Sequence, residues 1–519
     1  MKVRLLHADD ELPLGGGGEL SVHQRDLVDD LGLDLLLDAM AAGDDHVRRV
    51  CEGLLLDGLD DVGEVARRQG VVADALAHPE VVAAMHAAIG SGLEAARRSA
   101  AGLYRESPEP VVRRSVERLR VHLDVLRRLR GQARRVQGSV RSEPWQELIE
   151  QLVTVVDETA DADMEALLEE LTFPRGMLLS ARIGRGATGV DHVLRRPRSQ
   201  GWLARSVDRS GDSFELPERD DEAVAALGAW RERALAPVAT QLSAAAEDIE
   251  VFLRRLRDEL AFLLGAVQLG DRLAGAGLAT CFPELVPGGA AAPAGGEGAR
   301  ATPDEPPTAP RWRARGLYDP ALALRIGSEV VPGDLDADGA TLVVITGANQ
   351  GGKSTLVRAI GAAQVLAQAG LFVPAGALRL ELRPQVYVHF GREEDRRLRR
   401  GRLEEELARM RRIIEQLGPG DLLLANESFA STNEAEGSAL AHGVFVALAD
   451  ARVRVVAVTH LYELARSLEV ADREDILFLR AQREEDGTRP FRVEPGPPEA
   501  TSYGRDLYLD IFGEEPAGG

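Results

Sequence analysis

The sequence predicts an α + α/β architecture: a long-helix region carrying a small β insertion, followed by a P-loop α/β domain. Three observations predict it. Apolar residues recur at three-and-four spacing across much of residues 22–273, the period of a helix with one buried face. Short apolar runs at 342–346, 421–425 and 453–458, the first of them β-branched, read as buried strands. Between the first of these and a helical pattern lies Gly347-Ala348-Asn349-Gln350-Gly351-Gly352-Lys353-Ser354, which fits G-x-x-x-x-G-K-[ST].

Taken in order, residues 1–20 form an entry arm containing Gly15–Gly18. From Val22 to about Ser99, glycines and Pro79 punctuate a helical pattern into several short packed helices, with Leu27, Leu31, Leu35, Leu36, Val62 and Val65 on the apolar side. After the Ser107-Pro108 break, Val111–Gln137 reads as one long helix. It carries nine arginines, from Arg113 to Arg135, against Glu117 and Asp124. Two readings of that basic face stay open: a solvated face paired with acidic neighbours, or a ridge facing a nucleic acid or a second subunit. Trp145–Leu171 reads as another long helix. From Phe173 to about Pro217 the chain turns rich in Gly and Arg, with β-like runs at Met177–Ile183, Val190–Leu194 and Ser213–Leu216. Helix resumes from Asp220 to about Leu273, with Trp230, Leu235, Val238, Leu242, Phe252 and Leu253 on a core stripe. The Pro/Gly/Ala-rich segment 286–310 has too little apolar surface to hold one structure and is expected to be a flexible linker. Beyond the P-loop helix the pattern gives a strand at Arg383–Phe390, a charged loop at 391–402 and a helix at Leu403–Leu417. Strands near Ile476–Leu479 and Phe491–Val493 and a last helix at Tyr503–Phe512 complete it.

The chemistry concentrates at the P-loop. Its glycines let backbone N–H groups turn onto a polyphosphate, Lys353 neutralises phosphate oxygens, and the Ser354 hydroxyl can ligate Mg²⁺. The following helix points the positive end of its dipole at the same anion. Gly347 to Thr355 is therefore the candidate binding segment for ATP. Glu427 ends the second strand, where it can orient and deprotonate a water, and His460 ends the third. Either residue alone would be an ordinary strand-end polar group. The order P-loop, strand-Glu, strand-His makes both candidate catalytic residues, with Ser354 and Asn426 as candidate metal ligands.

At these residues the chain resembles the MutS family of DNA mismatch-repair ATPases. The likeness rests on TGANQGGKSTLVRA at 346–359, GLFVPA at 370–375, NESFASTNEAEG at 426–437, VTHLYELA at 458–465 and TSYG at 501–504. A weaker likeness extends upstream to DLGLDLLLDAM at 30–40. The resemblance implies an ABC-type ATPase core at 311–519 that forms a homodimer and couples ATP and Mg²⁺ to DNA. It also implies a helical lever-like region at 1–172, a clamp-like insertion at 173–217, returning lever helices at 218–285 and a linker at 286–310. By placement, Arg182, Arg185, Arg195, Arg196 and Arg198 are the candidate DNA contacts, the alternative being a β subdomain that touches no DNA.

Three departures from the family pattern bear on function. Asn426-Glu427 stands where the family has Asp-Glu, so the Coulomb part of metal binding is weakened. The loop Gly401 to Glu405 lacks the serine that the family presents to a neighbouring subunit's γ-phosphate, leaving Arg402 as a substitute sensor, with Leu403 beside it. The lever-like helices start almost at once, so no mismatch-reading wedge is expected, and the short C-terminal remainder predicts no appended nuclease domain. The expected function is an ATP-hydrolysing, DNA-binding protein of mismatch repair or related DNA maintenance. Its rivals are a nucleotide-gated clamp with little hydrolysis and an ATPase acting on repair proteins without touching DNA.

Composition sets the outer bounds. The 519 residues carry a net charge of -22, which argues against indiscriminate nucleic-acid binding and requires any DNA contact to be a local basic patch. The charged start MKVRLLHADDELP and the lack of a long apolar run point to no membrane partner and a cytoplasmic protein, nucleoid-associated when on DNA. Cys51 and Cys281 are too far apart in sequence for a framework and are expected to be buried thiols.

Overall fold

A computed structural model describes residues 2–8, 19–100, 107–155, 158–174, 176–185, 189–195, 221–287, 310–348, 351–391, 401–484 and 488–498. The expected glycine arm at 15–18, the strand at Ser213–Leu216, most of the 286–310 linker and of the charged 391–402 loop, and the last helix with its TSYG lie outside these residues.

In chain order the helices begin with α1 (Val22–Leu31), α2 (Leu33–Ala41), α3 (Asp45–Leu56), α4 (Val62–Ala77), α5 (Pro79–Ala100) and α6 (Pro108–Val136). Next come α7 (Glu143–Val155), α8 (Glu158–Glu170), the strands β1 (Leu178–Ile183) and β2 (Gly189–Arg195), and α9 (Asp221–Gly275). The rest of the chain holds β3 (Glu284–Val286), β4 (Trp312–Leu317), α10 (Pro320–Ile326), β5 (Gly333–Asp336), β6 (Leu342–Thr346), α11 (Lys353–Gln368), β7 (Ala377–Glu381) and β8 (Val386–Phe390). It closes with α12 (Arg402–Ile414), β9 (Leu422–Asn426), α13 (Glu434–Asp450), β10 (Arg454–Val458), α14 (Tyr462–Val470), β11 (Ile476–Ala481) and β12 (Val493–Pro495).

Polar residues start the helices as their chemistry requires. Ser21 and Gln24 form a reciprocal capping box on α1, while Asp44, Asp61, Asp319 and Asn433 accept from the first free amides of α3, α4, α10 and α13. The expected Trp145–Leu171 helix corresponds to α7 and α8, with 156–157 outside the described residues.

The chain divides into two compact units. The first comprises Met1–Arg4 and Glu80–Leu260. Its core joins α6, α8 and α9 through Val112, Val116, Leu119, Leu123, Leu168, Leu235 and Ala239, and Met177 and Leu194 at the base of the β1–β2 hairpin pack onto it. Gly92 of α5 sits so close to α6 that a Cβ there would lie 2.1 Å from the Val125 Cγ2, so any side chain would force the helices apart. Trp230, expected on the core stripe of α9, is instead 44% exposed, with its ring 6.0 Å from that of His192 in β2. The basic face of α6 resolves toward acidic neighbours: Arg118 pairs with Glu250, Arg120 with Glu169, and Arg127 with Asp161.

The second unit comprises Leu5–Pro79 and Ala261–Gly519. Its six-stranded sheet runs β12-β11-β6-β10-β9-β8, parallel except for β12. Such a sheet is covered on both faces, so its strands are continuous apolar runs. Leu342, Val343, Val344 and Ile345 are each no more than 1% exposed, and each such burial stabilises the unit by about 1.5–3 kcal/mol. A four-stranded sheet in the order β3-β7-β4-β5 accompanies it. The expected strand at Arg383–Phe390 starts later, at Val386, because the Arg383 amide donates to the Gln368 side chain at 3.3 Å and Pro384 has no N–H to give a ladder. Helix α1 belongs to this unit through Arg409 of α12, which donates to Asp26 at 3.1 Å and to Asp30 at 2.6 Å. Cys51 is fully buried, as expected, whereas Cys281 is half-buried. Among the described residues no helix is long and apolar enough to cross a membrane.

Candidate active site

Parallel register brings the candidate residues to one edge of the six-stranded sheet. Val458 of β10 lies beside both Ile345 of β6 and Asn426 of β9. The segments that leave these strands, starting at Gly347, Glu427 and Thr459, therefore emerge at the same carboxyl edge, where open α/β sheets place ligands.

Gly347 and Gly352 adopt φ of 111° and 88°, conformations that a side chain would strain. A Cβ on Gly347 would also come within 2.9 Å of the Ala481 amide nitrogen, so β11 presses on the loop from behind. Lys353, the first residue of α11, is 5% exposed, and its Nζ donates to the carbonyls of Gly347 at 2.7 Å and Ala348 at 2.9 Å. The ammonium thus braces the loop that it follows. Ser354 donates its hydroxyl proton to Oδ1 of Asn426 at 3.0 Å, which joins the P-loop helix to the end of β9. Thr355 is half-buried in the first turn of α11 and Ala348 is buried. Asn349 and Gln350 lie outside the described residues.

Glu427 has φ of 56° and its amide donates to the Val458 carbonyl at 2.9 Å, so the strand ends in a backbone turn that leaves the carboxylate 41% exposed. His460 Nδ1 lies 4.0 Å from Glu427 Oε1, close enough for charge to be felt and too long for a hydrogen bond. The edge therefore collects a lysine ammonium, a hydroxyl, an amide oxygen, a carboxylate and an imidazole. That set can neutralise an anion, offer hard oxygen ligands and remove a proton from water.

Sequence reasoning missed what holds this edge. Phe429 also has a left-handed φ, 63°, and is fully buried. Glu406 of α12 accepts from the Phe429 amide and from the Ser431 hydroxyl. His389 is buried behind it, with Nδ1 2.6 Å from the Ser428 hydroxyl and Nε2 3.3 Å from the Glu406 carbonyl. The one available signal was a third glutamate at 404–406 that follows no apolar period.

The candidate DNA contacts sit in the first unit. Arg182 pairs with Asp191 at 2.8 Å across the hairpin, with 80% of its side chain exposed, and Arg195 donates to the Ser180 hydroxyl at 2.9 Å. Arg185 follows β1, while Arg196 and Arg198 lie outside the described residues. Among the described residues no group of three or more His, Cys, Asp or Glu could hold a metal on its own.

Comparison with known proteins adds a lineage. A model of the MutS2 N-terminal domain matches residues 60–276, and a model of MutS domain V matches residues 343–506. An Endonuclease MutS2 of Carboxydothermus hydrogenoformans is 37% identical over 142 residues, 27% of this chain and 18% of that protein. A DNA mismatch repair protein MutS of Caulobacter vibrioides is 34% identical over 191 residues, 36% of this chain and 21% of that protein. A DNA mismatch repair protein MutS of Thermus aquaticus is 34% identical over 199 residues, 38% of this chain and 24% of that protein. The chain thus spans about a fifth to a quarter of the length of these relatives. Two models of one lineage fall on separate stretches that together take in most of the sequence, and on that ground the chain belongs to the MutS family.

Proposed function

We propose that this chain is an ATPase of DNA maintenance, which binds ATP at the carboxyl edge of the six-stranded sheet and hydrolyses it to ADP and phosphate. The observation that carries the reading is the joining of Ser354 to Asn426 at 3.0 Å, with Glu427 next in the chain and His460 within 4.0 Å of it. In this reading the amides of 347–352 and Lys353 hold the phosphates, and Glu427 orients and deprotonates the attacking water. His460 contacts the γ-phosphate or that water. Mg²⁺, when bound, would neutralise phosphate charge and would be held by the Ser354 hydroxyl and the Asn426 amide oxygen, a donor set of the hard-oxygen kind that it takes. Their 3.0 Å contact already places both oxygens together.

The remaining assignments follow from the family. The helices of 1–172 and 218–285 would serve as a lever, the hairpin insertion of 173–217 as a clamp that grips the DNA backbone, and 311–519 as the ATPase core of a homodimer acting in the cytoplasm, with 286–310 as linker. The names of the relatives, a DNA mismatch repair protein and an endonuclease, support a nucleic-acid partner. A second reading, a nucleotide-gated clamp with slow turnover, is favoured by Asn426, whose amide has no negative charge to offer a metal. Steady-state ATPase with and without duplex DNA decides between them. Turnover stimulated by DNA supports the first reading. Nucleotide binding with negligible turnover supports the second, and no nucleotide binding at all overturns both.

A further inference from the structure

We infer that Glu406 is a positioning residue: from α12 it clamps the turn after β9 and so fixes the carboxylate of Glu427. The inference rests on the ATPase reading for its consequence, although the clamp itself is a matter of geometry. The turn contains two residues with left-handed backbones, Glu427 at φ 56° and Phe429 at φ 63°. Neither is a glycine, and a phenylalanine in that region persists only where its surroundings over-determine it.

The surroundings do so on three sides. The Phe429 ring is fully buried in the core with Met410, Ala441, Phe445 and Leu461. Its carbonyl is met by α13, where a Cβ on Gly437 would lie 2.5 Å from the Phe429 oxygen. Its amide is satisfied by one carboxylate oxygen of Glu406, whose other oxygen accepts from the Ser431 hydroxyl. A carboxylate that accepts two hydrogen bonds from one turn holds it at both ends, and charge-assisted bonds are the stronger kind.

The clamp has a footing of its own. The carbonyl of Glu406 faces His389 Nε2 at 3.3 Å, and His389 Nδ1 faces the hydroxyl of Ser428 at 2.6 Å. A ring with its proton on Nε2 donates to the Glu406 carbonyl, and the single proton of the Ser428 hydroxyl has two acceptors within reach, His389 Nδ1 and the His389 carbonyl at 3.1 Å. Residues 428, 429 and 431 are thereby all tied, directly or through His389, to a single turn of α12. Glu427 is the residue immediately before them. A displaced α12 would pull on these three residues, and through them on the backbone that carries the Glu427 carboxylate.

The test uses the full chain and the variants Glu406→Ala and Glu406→Gln. Glutamine can keep both contacts, since its oxygen accepts from Phe429 and its NH₂ donates to the rotatable Ser431 hydroxyl. Glu406→Ala should therefore lower kcat at least tenfold while the Kd for ATP stays within about threefold, and Glu406→Gln should restore most of kcat. Hydrogen exchange at the Phe429 amide reads the clamp without relying on activity: exchange should accelerate in Glu406→Ala and stay slow in Glu406→Gln. Unchanged exchange in the alanine variant overturns the inference, as does a kcat within twofold of the parent. Faster exchange in a protein whose parent hydrolyses no ATP keeps the clamp and overturns the ATPase reading instead. If Glu406→Ala fails to fold, Ser431→Ala removes one of the two contacts, and identical exchange and kcat in that variant overturn the inference.

Discussion

At the scale of single residues, the Mg²⁺ site proposed above would turn on an amide. Asn426 Oδ1 accepts from Ser354, and the amide brings a dipole where an aspartate would bring a full charge. Asn426→Asp should lower the Mg²⁺ concentration needed for half-maximal ATPase and raise turnover. Glu427→Ala should retain bound ATP without cleaving it. ATPase measured across a magnesium titration checks the first, and an unchanged curve would mean that another group already supplies the charge. His122 gives a second, independent residue-scale expectation. It is fully buried in α6, and among the described residues neither ring nitrogen has a hydrogen-bond partner. Burial holds its pKa below the ordinary histidine value, with Glu250 opposing and Arg118 reinforcing that shift. The neutral ring is thus favoured in the folded chain. The stability this provides is complete above the unfolded pKa of about 6.5 and is lost as pH falls below it. Replacing it by leucine, His122→Leu, should flatten the fall in melting temperature between about pH 6.5 and 5, as a thermal melt at each pH would show.

At the scale of elements, the β1–β2 hairpin and α6 divide the basic charge differently. The α6 arginines Arg118, Arg120 and Arg127 are committed to carboxylates. Arg182, although paired, leaves most of its guanidinium to solvent. If the hairpin grips DNA, replacing Arg195, Arg196 and Arg198 by Glu should weaken binding to all sequences alike. It should also flatten the log K against log salt slope by up to about 0.9 per lost phosphate contact. Equal slopes before and after would move the contact elsewhere. The elements also show what could be read in advance. β6, β9 and β10 were legible because a strand buried on both faces is an unbroken apolar run, and α9 because its period holds for 55 residues. β3 and β5 were not, since three- and four-residue strands such as Glu-Leu-Val and Gly-Asp-Leu-Asp carry no period long enough to count. Trp230 was misplaced because an aromatic on the right stripe can serve a hairpin as well as a core. The glycine-rich pattern ending in Lys353-Ser354 stands out in the sequence itself. The Glu406 clamp does not, because nothing local links residues 406, 429 and 431 until the fold brings them together.

At the scale of the whole molecule, the second unit is assembled from two distant parts of the chain, Leu5–Pro79 and Ala261–Gly519. Arg409 shows how strictly the parts depend on each other, since it is 7% exposed and its two carboxylate partners are Asp26 and Asp30. Removing them with the double change Asp26→Ala and Asp30→Ala leaves a guanidinium buried without its counter-charges. The expected loss is about 3–5 kcal/mol of unfolding free energy, read by urea denaturation with a probe in the six-stranded sheet. A loss below about 1 kcal/mol would mean that the N-terminal segment is only loosely held.

The same division has a consequence during synthesis. A ribosome delivers residues 5–79 first and must then translate roughly 180 residues before the first residue that completes their unit, an interval on the order of ten to forty seconds. Throughout it, Leu31, Met40 and Cys51, all destined for full burial, lack the later helices they pack against, α11 at Gly361 for Leu31 and α9 at Gly265 for Met40 and Cys51. Slowing translation beyond residue 80 should therefore raise the aggregated fraction of newly made chains, as sedimentation of pulse-labelled protein would show.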